Sequence, residues 1–173
     1  PWPAVRAARS HDPVTRVQFY WDDGRGMRRN VEVGSVALAH LSALTRWRHW
    51  LRADVQGVTL ALPREALADA LGEMNAALRA EGLIVAWRDE PFPLYSVAGE
   101  ALGASMERAA TRFWGSLTIG AHCNGFVADD GGRPQGLWIA RRAPTKATDP
   151  GKLDNLIGGG VPLGQTPREA VQR

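Results

Sequence analysis

Arg141, Arg142 and Lys146 stand close together, Asp154-Asn155 follows, and beyond it come Gly158-Gly159-Gly160 and Thr166-Pro167-Arg168-Glu169. A guanidinium takes phosphate oxygens bidentately, and an ammonium takes them as a point charge. Glycine-rich turns and helix N-termini offer backbone N–H groups to the same oxygens. A diphosphate must have its charge neutralised before water attacks phosphorus, which also calls for divalent cations on a carboxylate cluster. This stretch supplies the cationic and backbone donors and lacks the acidic cluster. Each feature has a plainer reading as well. The three cations could be a solvated basic edge, Asp154-Asn155 an Asx-type turn, and the glycines a tight bend.

Other residues invite chemistry with less support. His122 and Cys123 are neighbours in a β-like run, so they point to opposite faces and cannot chelate together, and His11, His40 and His49 have no ligand spacing with them. Trp47 and Trp50 among Arg46, Arg48 and Arg52 could stack on nucleic-acid bases. At helical spacing they more often pack a core edge with the charges outside. Trp87 or Trp114 could stack on a heteroaromatic ligand. The segment from Gly159 to Thr166 is one residue away from a phosphate-cradling loop, but Gln165 replaces its lysine and Pro162 removes an N–H.

Counting from Gly159, five residues lead to Gln165 and seven more lead to Arg173. That spacing resembles the opening of a Nudix box, whose pattern has a Glu at the position of Gln165 and further glutamates after the Arg. A wider match runs through Glu107-Arg108-Ala109-Ala110, the run Gly120–Val127, Leu137–Arg142, Lys146, Pro150-Gly151 and Leu153-Asp154-Asn155. It is similar to the thiamine pyrophosphokinase-related subfamily of Nudix proteins, in which an uncharacterised N-terminal domain precedes the Nudix domain.

The resemblance implies an α+β protein with an N-terminal mixed domain over 1–115, followed by the first part of a Nudix α/β/α sandwich over 116–173. It implies magnesium-dependent hydrolysis (manganese as an alternative) of a small organic diphosphate, such as a thiamine diphosphate derivative, to the monophosphate in the intact parent. Arg173 would orient the catalytic helix. Arg141, Arg142, Lys146, Asp154 and Asn155 would bind substrate, and the backbone carbonyl of Gly159 or Gly160 would touch the metal. The later glutamates fall past Arg173, so the chain alone is expected not to catalyse. The competing expectation is a non-catalytic module that binds a ligand or partner.

Composition narrows the classes. The chain has 173 residues, 45% hydrophobic and 23% charged, with seven Trp, which suits one packed domain plus part of another. A net charge of +3 without any block of like charges suits a small anion and gives a nucleic-acid tail little support. One cysteine, Cys123, excludes an intramolecular disulfide and suggests a reducing, cytoplasmic setting. No run of 18 apolar residues exists, so no membrane partner is expected, while a homodimer stays open.

The elements that must position these residues follow from local pattern. Val17–Trp21 and Val31–Val33 predict a hairpin across the turn at Asp22-Asp23-Gly24. Leu38, Leu41, Leu44 and Trp47 predict an amphipathic helix within 36–51, and Val58–Leu62 a buried strand. Leu67, Leu71, Met74 and Leu78 predict a helix from Arg64 to Glu81 that ends at Gly82. A further helix is expected over Glu100–Phe113, with a domain boundary near Gly115. Asp129-Asp130-Gly131-Gly132 predicts a hairpin turn. Thr166, Pro167 and Glu169 predict a capping box that opens a helix.

Overall fold

A computed structural model describes Pro3 and residues 13–24, 30–146 and 149–172. The protein is α+β and divides into two compact units, Pro1–Thr118 and Ile119–Arg173. Among the described residues no helix is long and apolar enough to cross a membrane.

The first unit is built on a four-stranded sheet of β1 (Arg16–Asp22), β2 (Val31–Ala37), β3 (Leu51–Asp54) and β4 (Gly57–Ala61), in the order β2-β1-β4-β3. β1 runs antiparallel to β2 and parallel to β4, and β3 closes the sheet antiparallel to β4. Alternation explains the strands: Val17, Phe19 and Trp21 point inward from β1, Val58 and Leu60 from β4, and all are buried. The Trp21 indole N–H donates to the Leu62 carbonyl at 2.8 Å, so its polar end is satisfied at the rim of the core.

The helix α2 (Arg64–Ala80) forms as its periodicity requires, burying Leu67, Ala70, Leu71, Met74, Asn75 and Leu78 along one stripe. Each buried Leu or Met contributes about 1.5–3 kcal/mol of transfer free energy. Gly82 adopts φ +74, and the Leu83 and Gly82 amides donate to Leu78 and Arg79 carbonyls at 2.9 Å, which closes the C-terminus as a Schellman motif.

Two expected helices are corrected. Within 36–51, Val36 belongs to β2 and Leu51 to β3. The segment between them makes short helical turns, Leu38–His40, α1 (Leu41–Leu44) and Thr45–Trp47. An apolar repeat of three fits the three-residue turn of a 3₁₀ helix better than an α-helix, and it leads from exposed Leu38 to buried Leu44 and Trp47. The span Glu100–Phe113 is mostly strand: β6 (Ala101–Glu107) pairs antiparallel with β5 (Pro91–Tyr95), and only α3 (Arg108–Phe113) is helical. Gly103, with φ +72, is incompatible with a helix there. Glu107 makes the switch, since its carboxylate accepts from the amides of Arg88 (3.0 Å), Glu90 (2.9 Å) and Ala109 (3.2 Å).

The end of α3 lies on β2. A Cβ on Gly34 would stand 2.5 Å from the Trp114 carbonyl oxygen and 2.6 Å from that of Gly115, so only glycine admits this approach. The Ser35 amide donates to the Trp114 carbonyl at 2.9 Å, and Arg16 Nε donates to Ser35 Oγ at 2.8 Å.

The second unit consists of two-stranded ladders. β7 (Gly120–Cys123) pairs with β12 (Ile157–Gly160), β8 (Phe126–Ala128) with β9 (Pro134–Leu137), and β10 (Ala140–Arg141) with β11 (Leu153–Asp154), all antiparallel. The hairpin turn between β8 and β9 is held by Asp129, whose carboxylate accepts from Gly131 (3.0 Å) and Arg133 (2.9 Å) amides. The short helix α4 (Pro167–Val171) packs its Ala170 on Ala121 and Val161. Its capping box is complete: the Glu169 amide donates to Thr166 Oγ1 and the Glu169 carboxylate accepts from the Thr166 amide at 2.7 Å.

Candidate functional site

The β7–β12 ladder has two unlike faces. Ala121 turns to the side covered by α4, whereas His122 stands on the other side, directly across from Gly158. A Cβ on Gly158 would lie 2.9 Å from His122 Nδ1, and one on Gly120 would lie 3.2 Å from Nε2. The imidazole therefore occupies space that two glycines leave clear. Its Nδ1 meets Asn155 Nδ2 at 2.6 Å.

Asn155 is joined in turn to the basic strand end. Its amide donates to Asp154 Oδ1 at 3.0 Å, and Asp154 Oδ2 accepts from Arg142 Nη1 at 2.5 Å. The Arg142 hydrogen bond holds the Asp154 carboxyl below its ordinary range against the opposing effect of burial, with lesser help from the Asn155 amide and the Arg142 and His122 charges. Arg142 is fixed through its backbone as well: its amide donates to Lys152 and its carbonyl accepts from Gly151.

Three of the expected substrate residues, Arg142, Asp154 and Asn155, thus form one connected group. Arg141 points elsewhere, donating from Nη1 to the Gly151 carbonyl at 2.8 Å, and Lys146 is exposed in the loop that follows. Gly159 and Gly160 lie in β12, opposite Ala121 and Gly120. Arg173 lies outside the described residues, as do His11 and residues 25–29. His122 is the member that the residue types did not reveal. The signal for it was present in the glycines at 120 and 158, which clear a volume for a neighbouring ring.

A metal site is not assembled. Among the described residues no group of three His, Cys, Asp or Glu could hold an ion. The Glu169 carboxylate, which follows the glycine strand in sequence, is engaged with the Thr166 amide and hydroxyl. The phosphate-cradling loop is also excluded, because its Gly159 and Gly160 are extended in an antiparallel ladder instead of wrapping into a nest.

In the first unit the aromatic candidates are accounted for. Trp114 is fully buried and donates from Nε1 to Asn75 Oδ1 at 2.7 Å, so it cannot stack on a ligand. Trp47 is buried under Arg46, which lies 4.7 Å from its ring, and Trp87 donates to Asp89 beneath Arg79. Trp50 is half-buried and lines a shallow furrow of about 430 Å³ on the outer face of the sheet. A second depression of about 480 Å³ shares its Asn30, Arg52 and Thr59. Its floor is made small by Gly57, Thr59 and Ala61 of β4, with Tyr20 and Arg52 as neighbours on the flanking strands.

The chain is 37% identical over 95 residues to Nudix hydrolase 20, chloroplastic, of Arabidopsis thaliana, covering 55% of this chain and 25% of that protein. The chain is similar to Nudix hydrolases. Nudix hydrolase 24, chloroplastic, of the same plant is also 37% identical over 95 residues, 26% of its own length. A Nudix hydrolase of Deinococcus radiodurans is 32% identical over 85 residues, 49% of this chain and 46% of that protein. The chain spans from about a quarter to about half of the length of these relatives. No family model matches it.

Proposed function

We propose that the intact protein carrying this chain hydrolyses a small organic diphosphate, of which a thiamine diphosphate derivative is the leading candidate, to the monophosphate. The observation that carries the reading is the connected group Arg142–Asp154–Asn155–His122 beside the glycine strand, in a chain similar to Nudix hydrolases. In the reaction a water oxygen bonds to phosphorus and the bridging P–O bond breaks, leaving monophosphate and inorganic phosphate. Magnesium belongs to this reading as the counter-charge of the diphosphate. The described residues do not gather ligands for it, so their part is to bind and orient.

Asp154 holds the Arg142 fork in a fixed direction, and a guanidinium carries five donors, enough to meet a carboxylate and phosphate oxygens together. Arg141 and Lys146 add positive charge at the same strand end. The test is release of monophosphate by the full-length protein with magnesium, measured against thiamine diphosphate, its oxidised derivatives and nucleoside diphosphates. No turnover of any diphosphate sinks the reading.

The furrow on the first unit's sheet favours a second function, ligand binding without chemistry. Its volume falls in the range of small-molecule sites. It predicts binding that Arg52→Ala and Tyr20→Ala abolish while hydrolysis continues. A nucleic-acid ligand there would show affinity falling steeply with salt.

A further inference from the structure

We propose that His122 contacts the substrate of the diphosphate site through its Nε2–H, and that Asn155 acts as the positioning residue for the imidazole instead of binding substrate itself. This rests on the reading of the site as a diphosphate site. The argument begins with space. His122 is exposed on its strand, yet its ring lies over two positions that any Cβ would crowd, 2.9 Å from Nδ1 at Gly158 and 3.2 Å from Nε2 at Gly120. A surface histidine with no task samples several rotamers. Here the glycines accept one ring placement, and the 2.6 Å contact to Asn155 holds it.

The chemistry of that contact fixes the proton. An amide nitrogen only donates, so Nδ1 accepts from Asn155 Nδ2, and the neutral ring carries its hydrogen on Nε2. Asn155 is itself held through its backbone by Asp154, which pairs with Arg142. One chain of hydrogen bonds therefore links the Arg142 guanidinium to the His122 imidazole. Both are donors of the kind that suits the oxygens of a phosphate. Asn155, with its amide nitrogen spent on the ring, is left as the support.

The test uses the whole 173-residue chain. Nitrogen-15 NMR of the histidine rings gives the tautomer directly, and the expected result is Nε2–H for His122, shifting toward a tautomer mixture in Asn155→Ala. A ring protonated on Nδ1, with Asn155 accepting from it, overturns the inference and leaves the diphosphate reading standing. Phosphorus-31 NMR titration with thiamine diphosphate and inorganic pyrophosphate, with magnesium present, then measures affinity. His122→Ala is expected to weaken binding roughly tenfold, the loss of one hydrogen bond to a charged group. His122→Gln, which keeps an N–H donor, recovers most of it.

Gly158→Ala is the variant that separates support from folding. Its new Cβ meets side chains alone, the His122 ring at 2.9 Å and Asn155 Oδ1 at 3.9 Å, so the ring is pushed off Asn155 while the thermal midpoint stays near that of the parent. Binding lost with the fold intact supports the proposal. Binding unchanged in both His122→Ala and Gly158→Ala overturns it. If the unaltered chain binds neither probe, the ligand assigned to Nε2 falls, while turnover by the full-length protein decides the diphosphate reading separately.

Discussion

Replacing Gly34 by Ala tests whether the end of α3 holds the first unit together. The added Cβ would sit 2.5 Å from the Trp114 carbonyl oxygen, 2.6 Å from the Gly115 oxygen and 2.7 Å from the Gly115 carbonyl carbon, all backbone atoms. Comfortable contact lies near about 3.5 Å, so β2 and the 114–115 turn must part by roughly 1 Å. Overpacking of this kind costs about 1–3 kcal/mol. Stretching the 2.9 Å bond from the Ser35 amide to the Trp114 carbonyl adds about 0.5–1.5 kcal/mol. The sum is about 3 kcal/mol, a urea midpoint lower by roughly 2 M at an m-value of about 1.5 kcal/mol/M. Six of the seven tryptophans precede Thr118, so intrinsic fluorescence reports this unit's unfolding. Gly72→Ala is the control, because its Cβ meets open space on α2 and removes a helix glycine, raising stability by about 0.5–1 kcal/mol. A Gly34→Ala midpoint within about 0.3 M of the parent refutes the reasoning, since that shift is under 0.5 kcal/mol.

Trp114→Phe removes the only donor seen on Asn75 Oδ1, and Asn75 Nδ2 already lacks a partner, so a wholly unpaired buried amide costs about 1–3 kcal/mol in thermal or urea unfolding. Asn75→Leu in that background should regain part of the loss, and no regain argues that packing alone was at stake. The Thr166 amide and hydroxyl hold the Glu169 carboxyl below its ordinary value, so its contribution to α4 is complete above the unfolded glutamate pKa and fades as pH falls through the depressed one. The carbon-13 titration midpoint of Glu169 should move up toward the ordinary glutamate value when Thr166→Pro removes both donors. Asp154 behaves likewise through Arg142: its midpoint should rise toward the ordinary aspartate value in Arg142→Ala, and an unmoved midpoint would deny the pairing.

Local pattern revealed much of the framework. The stripe Leu67, Leu71, Met74 and Leu78 with Gly82 defined α2, the alternation Val17, Phe19, Trp21 defined β1, and Thr166, Pro167 and Glu169 defined the start of α4. Each depends on neighbours within a few residues, so short-range spacing carries the information. β6 escaped, because Ala101–Glu107 becomes a strand only by pairing with β5, and α3 begins only where Glu107 collects amides from residues 88 and 90.

The site divides along the same line. By itself the sequence determined which groups could meet an anion, namely Arg141, Arg142, Lys146, Asp154 and Asn155, and that the glycine run precedes a capped helix. Tertiary structure decided which of them join. Arg142, Asp154 and Asn155 come together because β10 pairs with β11, and His122 enters because β7 pairs with β12 in the register that sets it against Gly158. Strand register is a long-range choice made by the packing of Ala121, Val161 and Ala170, and no spacing within one segment encodes it.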